Sequence, residues 1–179
     1  MNALLQDHAP ATRTRPRGWS RLHVVLHWLV VVLIAVQYVD RESMETLFDA
    51  TFEGRSIQTF DMVLGWTHIA VGSAILGAMA IRLVDRIACG RPPHGAAEPG
   101  WARWLASATH ALLYVVLLAM PALGLLAWIT GSETSADLHT LLWTPLLVLI
   151  GLHVAGALAQ SLWFRSGALA QMTSLRGRF

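Results

Sequence analysis

Long apolar segments without charged residues alternate with short polar stretches along the chain. Each segment is long enough for a helix that crosses the hydrocarbon layer of a membrane, which needs about 17 to 25 residues. The predicted spans lie at about 22–39, 62–81, 104–130 and 138–164. Together they leave no room for a sizeable water-soluble domain. The pattern therefore predicts an all-α fold, an integral membrane four-helix up-and-down bundle.

The composition agrees with a membrane protein. The 179 residues are 55% hydrophobic and only 13% charged, whereas about a quarter of the residues of a soluble domain carry charge. Residues 1–20 are predicted to form a disordered basic tail, and residues 21–179 the membrane domain. The first span is too long for the apolar part of a signal peptide, so we expect it to stay in the mature protein. The single cysteine, Cys89, excludes a disulfide framework and a cysteine-ligated iron–sulfur cluster.

The basic residues predict the orientation of the chain. All thirteen are arginines, and eleven of them lie before the first span, between the second and third spans, or after the fourth. Only Arg41 and Arg55 fall in the first loop, beside six acidic residues. Positive charge marks cytoplasmic loops, so we expect both termini and the second loop to be cytoplasmic. The net charge of +2 thus reflects the arginines on the cytoplasmic side of the membrane and does not indicate a nucleic-acid partner.

Glycine, proline and other small residues lie between the spans and at particular positions within them. Residues 90–100 are rich in glycine and proline and predict an inner loop that ends the second helix. Pro121 and Pro145 predict bends rather than helix ends, because a membrane helix tolerates proline where neighbours satisfy the freed carbonyl. Small residues cluster within 72–78 and 151–159. They permit the close approach of a flat ligand or of another helix.

Histidines are the candidate functional residues. Six of the eight lie within or at the edge of the predicted spans: His23, His27, His68, His110, His139 and His153. An unpaired polar side chain in hydrocarbon costs several kcal/mol, so each one is a candidate site residue. No Asp, Glu, Lys or Arg interrupts a predicted span. Another group is therefore expected to satisfy the imidazoles.

The histidines lie at two depths. Counted from the polar ends of the spans, His27, His110 and His153 fall in the inner half of the membrane. His68 and His139 fall toward the outer surface. On the fourth helix His139 and His153 lie within about 40° of the same face and about 21 Å apart along the axis. One helix thus directs one imidazole into each layer.

Two haem b groups, each held by imidazoles from two helices, account for these layers. Gly72, four residues after His68, and Gly156, three residues after His153, would let the flat macrocycle pack beside a ligand. A copper or zinc site is the competing interpretation, but it would need carboxylate or thiolate companions within the spans. A transporter or scaffold without a cofactor is a third. Which of the inner histidines are ligands stays open at this point.

An ordered set of motifs resembles the bacterial cytochrome b561 family of four-helix, two-haem membrane proteins. The motifs are Leu26-His27-Trp28, Thr67-His68-Ile69-Ala70-Val71-Gly72, His110-Ala111-Leu112-Leu113-Tyr114, Met120-Pro121-Ala122-Leu123-Gly124, Leu138-His139 and Gly151-Leu152-His153-Val154-Ala155. The resemblance implies that His27 and His153 ligate the inner haem iron, and that His68 and His139 ligate the outer one. It also implies a multi-pass protein of the bacterial inner membrane.

Other polar residues near the inner surface are candidates for contacts with the cofactor. We expect His110 to pack near the inner haem or to bind a propionate or quinone, with iron ligation as the alternative. His23 is expected to be solvated or to contact a propionate. The arginines that are candidates to pair with propionates, or with lipid phosphate, are Arg21, Arg82 and Arg103.

Two haems at different depths would carry electrons across the bilayer. We expect exchange between ubiquinone or another quinone at one end and a periplasmic electron donor or acceptor at the other. Superoxide oxidation with ubiquinone reduction is one activity of the resembled family. The outer loops, with eight acidic residues against two arginines, suit a basic redox protein better than a small anion. The alternative is a haem b membrane-anchor subunit of a dehydrogenase or hydrogenase. The sequence leaves open whether the chain acts as an enzyme by itself. It also leaves open whether the chain forms a homo-oligomer.

Overall fold

The apolar segments form long helices in the computed structural model, which describes residues 19–90, 99–163 and 168–173. The helices are α1 (Arg21–Glu53), α2 (Thr59–Cys89), α3 (Gly100–Thr130), α4 (Glu133–Leu141), α5 (Trp143–Leu162) and α6 (Ala168–Thr173). By length and composition, α1, α2, α3 and the α4–α5 unit can each span a membrane. The predicted all-α fold class is confirmed. The predicted basic tail falls almost entirely on residues 1–18, outside the described residues.

The helix ends follow local sequence signals. Ser20 caps α1, because its hydroxyl accepts a hydrogen bond from the backbone N–H of His23. Gly54 ends α1 and Gly131 ends α3, with φ of 74° and 65°. This left-handed conformation strains any residue that has a Cβ. The helix α2 ends at Cys89, where the glycine- and proline-rich segment begins, as predicted.

Two charged residues lie inside the bundle, contrary to the prediction from charge-free segments. Asp40, expected in the outer loop, is 1% exposed within α1, and Arg82, expected at the inner surface, is 8% exposed within α2. A charged side chain does not end a helix, because the backbone hydrogen bonds are unaffected by it. It needs only a polar partner where it is buried. The helices therefore continue past the charges that bounded the predicted spans.

The two prolines in the later spans act differently. The helix α3 runs through Pro121 without interruption, so the expectation that Pro121 does not end the helix is confirmed. The fourth span is divided at Leu142, three residues before Pro145, where α4 meets α5. Pro145 has no N–H to donate to the carbonyl of Leu141, which weakens the helix at this point. The fourth span is thus two helices in succession, with the break one turn earlier than the proline.

The helices pack against one another largely in chain order. The helix α1 packs along α2, α2 along α3, and α3 against both α4 and α5. The pairs α1–α5 and α2–α4 are not among the closely packed helices of the described chain. A core that includes Val30, Met79 and Leu146 lies between the helices. Large apolar side chains such as Val39, Ile87 and Leu162, each 75% exposed, cover the outside, as expected for a surface that faces lipid.

The crossing of α1 and α2 depends on Gly65. A Cβ at this position would lie 2.7 Å from Leu47 Cβ and 2.6 Å from Leu47 Cδ2. We expect Gly65→Ala to lower the free energy of unfolding by about 1–3 kcal/mol through overpacking. Thermal unfolding in detergent measures this.

Gly77→Ala is the matched control, because a Cβ there meets no atom within 4 Å. Alanine is the better helix former by about 0.8–1.0 kcal/mol, so this variant should be neutral or more stable. In a Leu47→Ala background Gly65→Ala should cost less than in the native chain. Equal effects of Gly65→Ala in both backgrounds would contradict the clash with Leu47 Cδ2, since alanine at position 47 keeps only the Cβ.

Candidate functional site

Four imidazoles form two pairs that connect distant helices. His27 of α1 faces His153 of α5 with ring centroids 6.0 Å apart, and His68 of α2 faces His139 of α4 at 6.1 Å. The ring planes within each pair are steeply inclined, by 69° and 73°. Each pair joins two helices that do not pack closely against each other. The structure thus brings together the same four histidines, in the same pairs, that the family resemblance implies.

The spacing within each pair suits two imidazoles that would bind one metal ion. A bond from a metal ion to an imidazole nitrogen is about 2.0–2.1 Å long, and the ring centre lies about 1.1 Å behind that nitrogen, so opposed rings should be about 6.2–6.4 Å apart. The observed 6.0 and 6.1 Å are close to this value. The rings of His110 and His153, at 5.0 Å, are too close together for it. The spacing therefore favours His27, not His110, as the residue opposite His153.

The outer imidazoles are held through their Nδ1 atoms. His68 Nδ1 donates to Asp40 Oδ1 over 2.9 Å, and His139 Nδ1 donates to the carbonyl oxygen of Met120 over 2.7 Å. A hydrogen bond at Nδ1 fixes the orientation of the ring and leaves Nε2 as the nitrogen that can bind a metal. Both outer rings are therefore prepared for ligation. The sequence does not reveal the role of Asp40, because a charged residue at this position predicts the end of the first span.

Gly124 gives His139 room to reach its acceptor. A Cβ at Gly124 would lie 2.8 Å from His139 Nδ1 and 3.0 Å from Cε1. Gly124 is one helical turn after Met120, whose carbonyl accepts the hydrogen bond from His139. The segment 120–124 thus supplies both the acceptor and the space. Its glycine follows the proline by three residues in the sequence, but only the position of His139 reveals its role.

The two glycines predicted to lie beside a macrocycle have different surroundings. A Cβ at Gly72 would lie 2.8 Å from Gln37 Nε2, which donates to the backbone carbonyl of His68 over 3.2 Å. Gly72 therefore makes room for a contact that holds the His68 segment of α2 against α1. Gly156 is exposed, and a Cβ there would meet no atom within 4 Å. The contact of either glycine with a macrocycle stays a prediction.

His110 accompanies the inner pair as a third imidazole. Its Nδ1 bonds to the carbonyl oxygen of Ala106 in its own helix, and its ring meets that of His153 edge-on, at 83°. This places His110 in a packed position next to the inner pair, which is one of the roles expected for it. A contact with quinone or with a carboxylate stays a prediction.

His23 is buried, and the expectation that it is solvated is wrong. The residue is 1% exposed, and its ring stacks on Trp19 with centroids 4.3 Å apart. His23 Nδ1 bonds to Asp85 Oδ2 over 3.1 Å, while Arg82 Nη2 lies 3.3 Å from His23 Nε2. Both nitrogens thus have polar partners from α2. The expectation was wrong because these two charged residues turn toward the bundle rather than toward water.

Two buried donors at the inner end of the bundle lack an acceptor within the described part of the chain. They are Arg82 Nε and the hydroxyl of Tyr114. The guanidinium of Arg82 lies 5.9 Å from the centre of the Tyr114 ring. Buried donors of this kind suit an anionic oxygen such as a carboxylate. The other two arginine candidates, Arg21 and Arg103, are exposed.

The side chains around the imidazole pairs bear on the kind of metal that the pairs could hold. Among residues 19–90, 99–163 and 168–173, no group of three or more His, Cys, Asp and Glu side chains is arranged to hold a metal ion. The expectation that no carboxylate lies among the imidazoles is wrong, since Asp40 contacts His68. However, this contact occupies Nδ1 and orients the ring. Two imidazoles per metal are sufficient for a haem iron, because the macrocycle supplies the remaining ligands.

The family model described as prokaryotic cytochrome b561 matches residues 18–175. The chain belongs to the prokaryotic cytochrome b561 family. The resemblance seen in the motifs is therefore confirmed. As a member of this family the chain is a multi-pass bacterial membrane protein of electron transfer, and a cytochrome b implies haem b as the cofactor. The two imidazole pairs fit that cofactor.

Alignments with three similar proteins cover more than half of this cytochrome. Cytochrome b562 of Cereibacter sphaeroides is 30% identical over 159 residues, which cover 89% of this chain and 97% of that protein. The probable superoxide oxidase CybB of Yersinia pestis is 25% identical over 177 residues, covering 87% and 96%. Cytochrome b561 homolog 1 of Escherichia coli K12 is 26% identical over 107 residues, covering 60% and 57%.

Substitution of Gly124 tests the support of His139. We expect Gly124→Ala to lower the haem content of the purified cytochrome by up to half, because the new methyl group displaces the His139 ring. Pyridine-haemochrome quantitation per chain measures this. Gly151→Ala, whose Cβ meets no atom within 4 Å, should keep the native content. A Gly124→Ala protein with native haem content and an unchanged reduced spectrum would show that His139 does not need this space.

Proposed function

We propose that this cytochrome binds two b haems and carries electrons between the quinone pool and a periplasmic redox partner. His27 and His153 would ligate the inner haem iron, and His68 and His139 the outer one. The observation that carries the proposal is the matched spacing of the two imidazole pairs, 6.0 and 6.1 Å. When bound, haem b supplies reversible one-electron chemistry whose potential depends on ligands, burial and hydrogen bonds.

The chain's own residues would orient the cofactors and keep them dry. Asp40 and the Met120 carbonyl fix the outer ligands, and exposed apolar side chains place the whole assembly in lipid. At the inner end Arg82 Nε and the Tyr114 hydroxyl are buried donors without a described acceptor. They are positioned to bind a propionate of the inner haem. The exposed Arg21 and Arg103 would meet lipid phosphate or the outer edge of that propionate.

The arginine distribution supports an inner-membrane location with both termini in the cytoplasm. In this orientation the His27–His153 pair lies toward the cytoplasm and the His68–His139 pair toward the periplasm. The two pairs would then hold one haem toward each side of the bilayer, where the haems would supply one-electron chemistry. The quinone would exchange electrons at the inner end.

The outer surface favours a basic redox protein as the periplasmic partner. An open groove at this surface is lined by Glu42, Glu45, Thr46, Asp49, Arg55 and Ser56. Both outer arginines are paired with acids: Arg41 Nη2 lies 3.7 Å from Glu42, and Arg55 Nη1 lies 2.9 Å from Asp49. The surface therefore offers little positive charge to attract an anion. The name of the Yersinia relative supports superoxide as the competing substrate.

Haem stoichiometry tests the proposal directly. We expect two haems per chain in the native protein, and one after either His139→Ala or His153→Ala, because each removes an axial ligand of a different haem. His110→Ala is the matched control on the inner side and should keep both. Pyridine-haemochrome quantitation and the dithionite-reduced minus oxidised spectrum give these numbers.

A single haem in the native protein would contradict the two-layer arrangement. Loss of a haem in His110→Ala, with both retained in a His27→Ala protein, would instead assign His110 as the inner ligand. A colourless preparation, expressed with ample haem supply, would refute the cofactor itself.

Stopped-flow reduction of the purified cytochrome distinguishes the outer partners. We expect a cationic soluble redox protein to reduce the haems at a rate that falls with ionic strength, because screening weakens its attraction to the acidic surface. Glu45→Gln should slow this reaction at low salt, whereas Thr46→Ala, in the same groove, should not. Rapid reduction by superoxide with no effect of Glu45→Gln would favour the superoxide:ubiquinone reaction.

Purification from native membranes addresses the alternative role as a membrane-anchor subunit. We expect this cytochrome to be isolated without a stoichiometric partner and still to exchange electrons with quinol. A tightly bound dehydrogenase or hydrogenase, whose removal abolishes haem reduction, would support the anchor subunit instead.

A further inference from the structure

The two imidazole pairs differ in the charge beside them. His68 of the outer pair donates Nδ1–H to a carboxylate, that of Asp40. Within the described residues, neither His27 nor His153 makes a hydrogen bond to a carboxylate. The charged group buried at the inner end is instead the guanidinium of Arg82, which is 8% exposed. The outer layer thus has a carboxylate on one imidazole of its pair, whereas the acid at the inner end, Asp85, contacts His23 and neither imidazole of the inner pair.

Asp40 is fixed in place by the packing of α1 against α2. Its side chain is buried, and its Oδ1 lies 2.9 Å from His68 Nδ1 although the two residues are 28 positions apart. One turn before it, Gln37 donates to the backbone carbonyl of His68, and one turn after it, Ser43 donates to Asp61 of α2. Three successive turns of α1 therefore hold the segment of α2 that carries His68.

Only one oxygen of the Asp40 carboxylate makes a hydrogen bond among the described residues. Asp40 Oδ2 is buried and has no partner among the described residues. A salt bridge through that oxygen would reduce the electrostatic effect of Asp40 on its surroundings. Because the only hydrogen bond described for this carboxylate is the one to His68, the carboxylate acts mainly on that imidazole.

A carboxylate that accepts the Nδ1–H of a ligating imidazole increases electron donation from Nε2 to the metal. Stronger donation, together with a nearby negative charge in a medium of low dielectric constant, stabilises the more oxidised iron. A neutral carbonyl acceptor, such as that of Met120 at His139, has a weaker effect. The chemistry at Asp40 therefore favours a lower reduction potential for the haem that His68 would ligate.

We infer that Asp40 is a positioning residue for the outer haem: it holds the His68 ring through Nδ1 and lowers the potential of that haem below that of the inner haem. The inference rests on the proposed two-haem function. The buried positive charge of Arg82 acts in the opposite direction on the inner haem. Electron transfer is then downhill from the outer haem to the inner one.

Redox titration of the full-length protein with optical detection tests this inference. Asp40→Asn keeps the size of the side chain and an acceptor oxygen but removes the charge. We expect one of the two midpoint potentials to shift to a more positive value and the other to stay at its native value. Asp40→Glu should bring the shifted midpoint back toward the native one. Glu45→Gln is the matched control, because it removes the same charge from an exposed position of α1 and should move neither midpoint.

The His139→Ala background, which lacks the outer haem, shows which midpoint belongs to which layer. In that background we expect Asp40→Asn to leave the remaining midpoint unchanged. Two retained haems with both midpoints at their native values in Asp40→Asn would overturn the inference. An equal shift of both midpoints, as a general charge effect produces, would also overturn it.

If Asp40→Asn loses the outer haem, Asp40→Glu decides the question. Restoration of the haem and its native midpoint by the longer carboxylate supports the inference, whereas loss of the haem in both variants indicates a packing role and overturns it. A native protein with fewer than two haems would refute the proposed function. That result is distinct from any result with the Asp40 variants, which test only the role of Asp40.

Discussion

An imidazole in a hydrocarbon layer needs a partner for each of its ring nitrogens, and this constraint organises the bundle. In the outer layer the chain supplies one partner for each ring, a carboxylate for His68 and a backbone carbonyl for His139. The two rings of each pair come from helices that do not pack closely against each other. The helices in contact stabilise the fold, and the histidines connect the helices that are not in close contact.

The same constraint explains why charged residues are found inside a membrane bundle. Asp40 and Asp85 each lie against a histidine, and Arg82 contacts His23 from the other side. An isolated charge would be costly there, but a charge that satisfies an imidazole replaces a lost hydrogen bond to water. These pairs are therefore polar contacts between α1 and α2 that set the position of the histidines relative to the membrane surfaces.

The four spans and the two depths of the histidines could be predicted from the sequence, because hydropathy marks the spans and residue counting sets the depths. The pairing of His27 with His153 and of His68 with His139 followed only from the family resemblance. The contacts at Nδ1 could not be predicted, since they depend on how the helices rotate about their axes. The charge of Asp40 predicts a loop residue, although Val30, Gln37 and Leu47 lie at helical spacing on the same side of α1. That spacing was the available signal. No pattern in the sequence indicates the role of Gly124, because that role depends on the position of His139, which lies on another helix.

The two imidazole pairs are nested along the chain, since His27 joins His153 and His68 joins His139. During synthesis the first two helices therefore enter the bilayer long before the residues that complete either pair leave the ribosome. The α1–α2 hairpin has to persist on its own during this interval, and the buried contacts of Asp40 and of Gly65 with its neighbour serve that purpose. Neither pair is consequently complete until α4 and α5 have joined the α1–α2 hairpin, so the two halves of the chain have to come together before four imidazoles are in place.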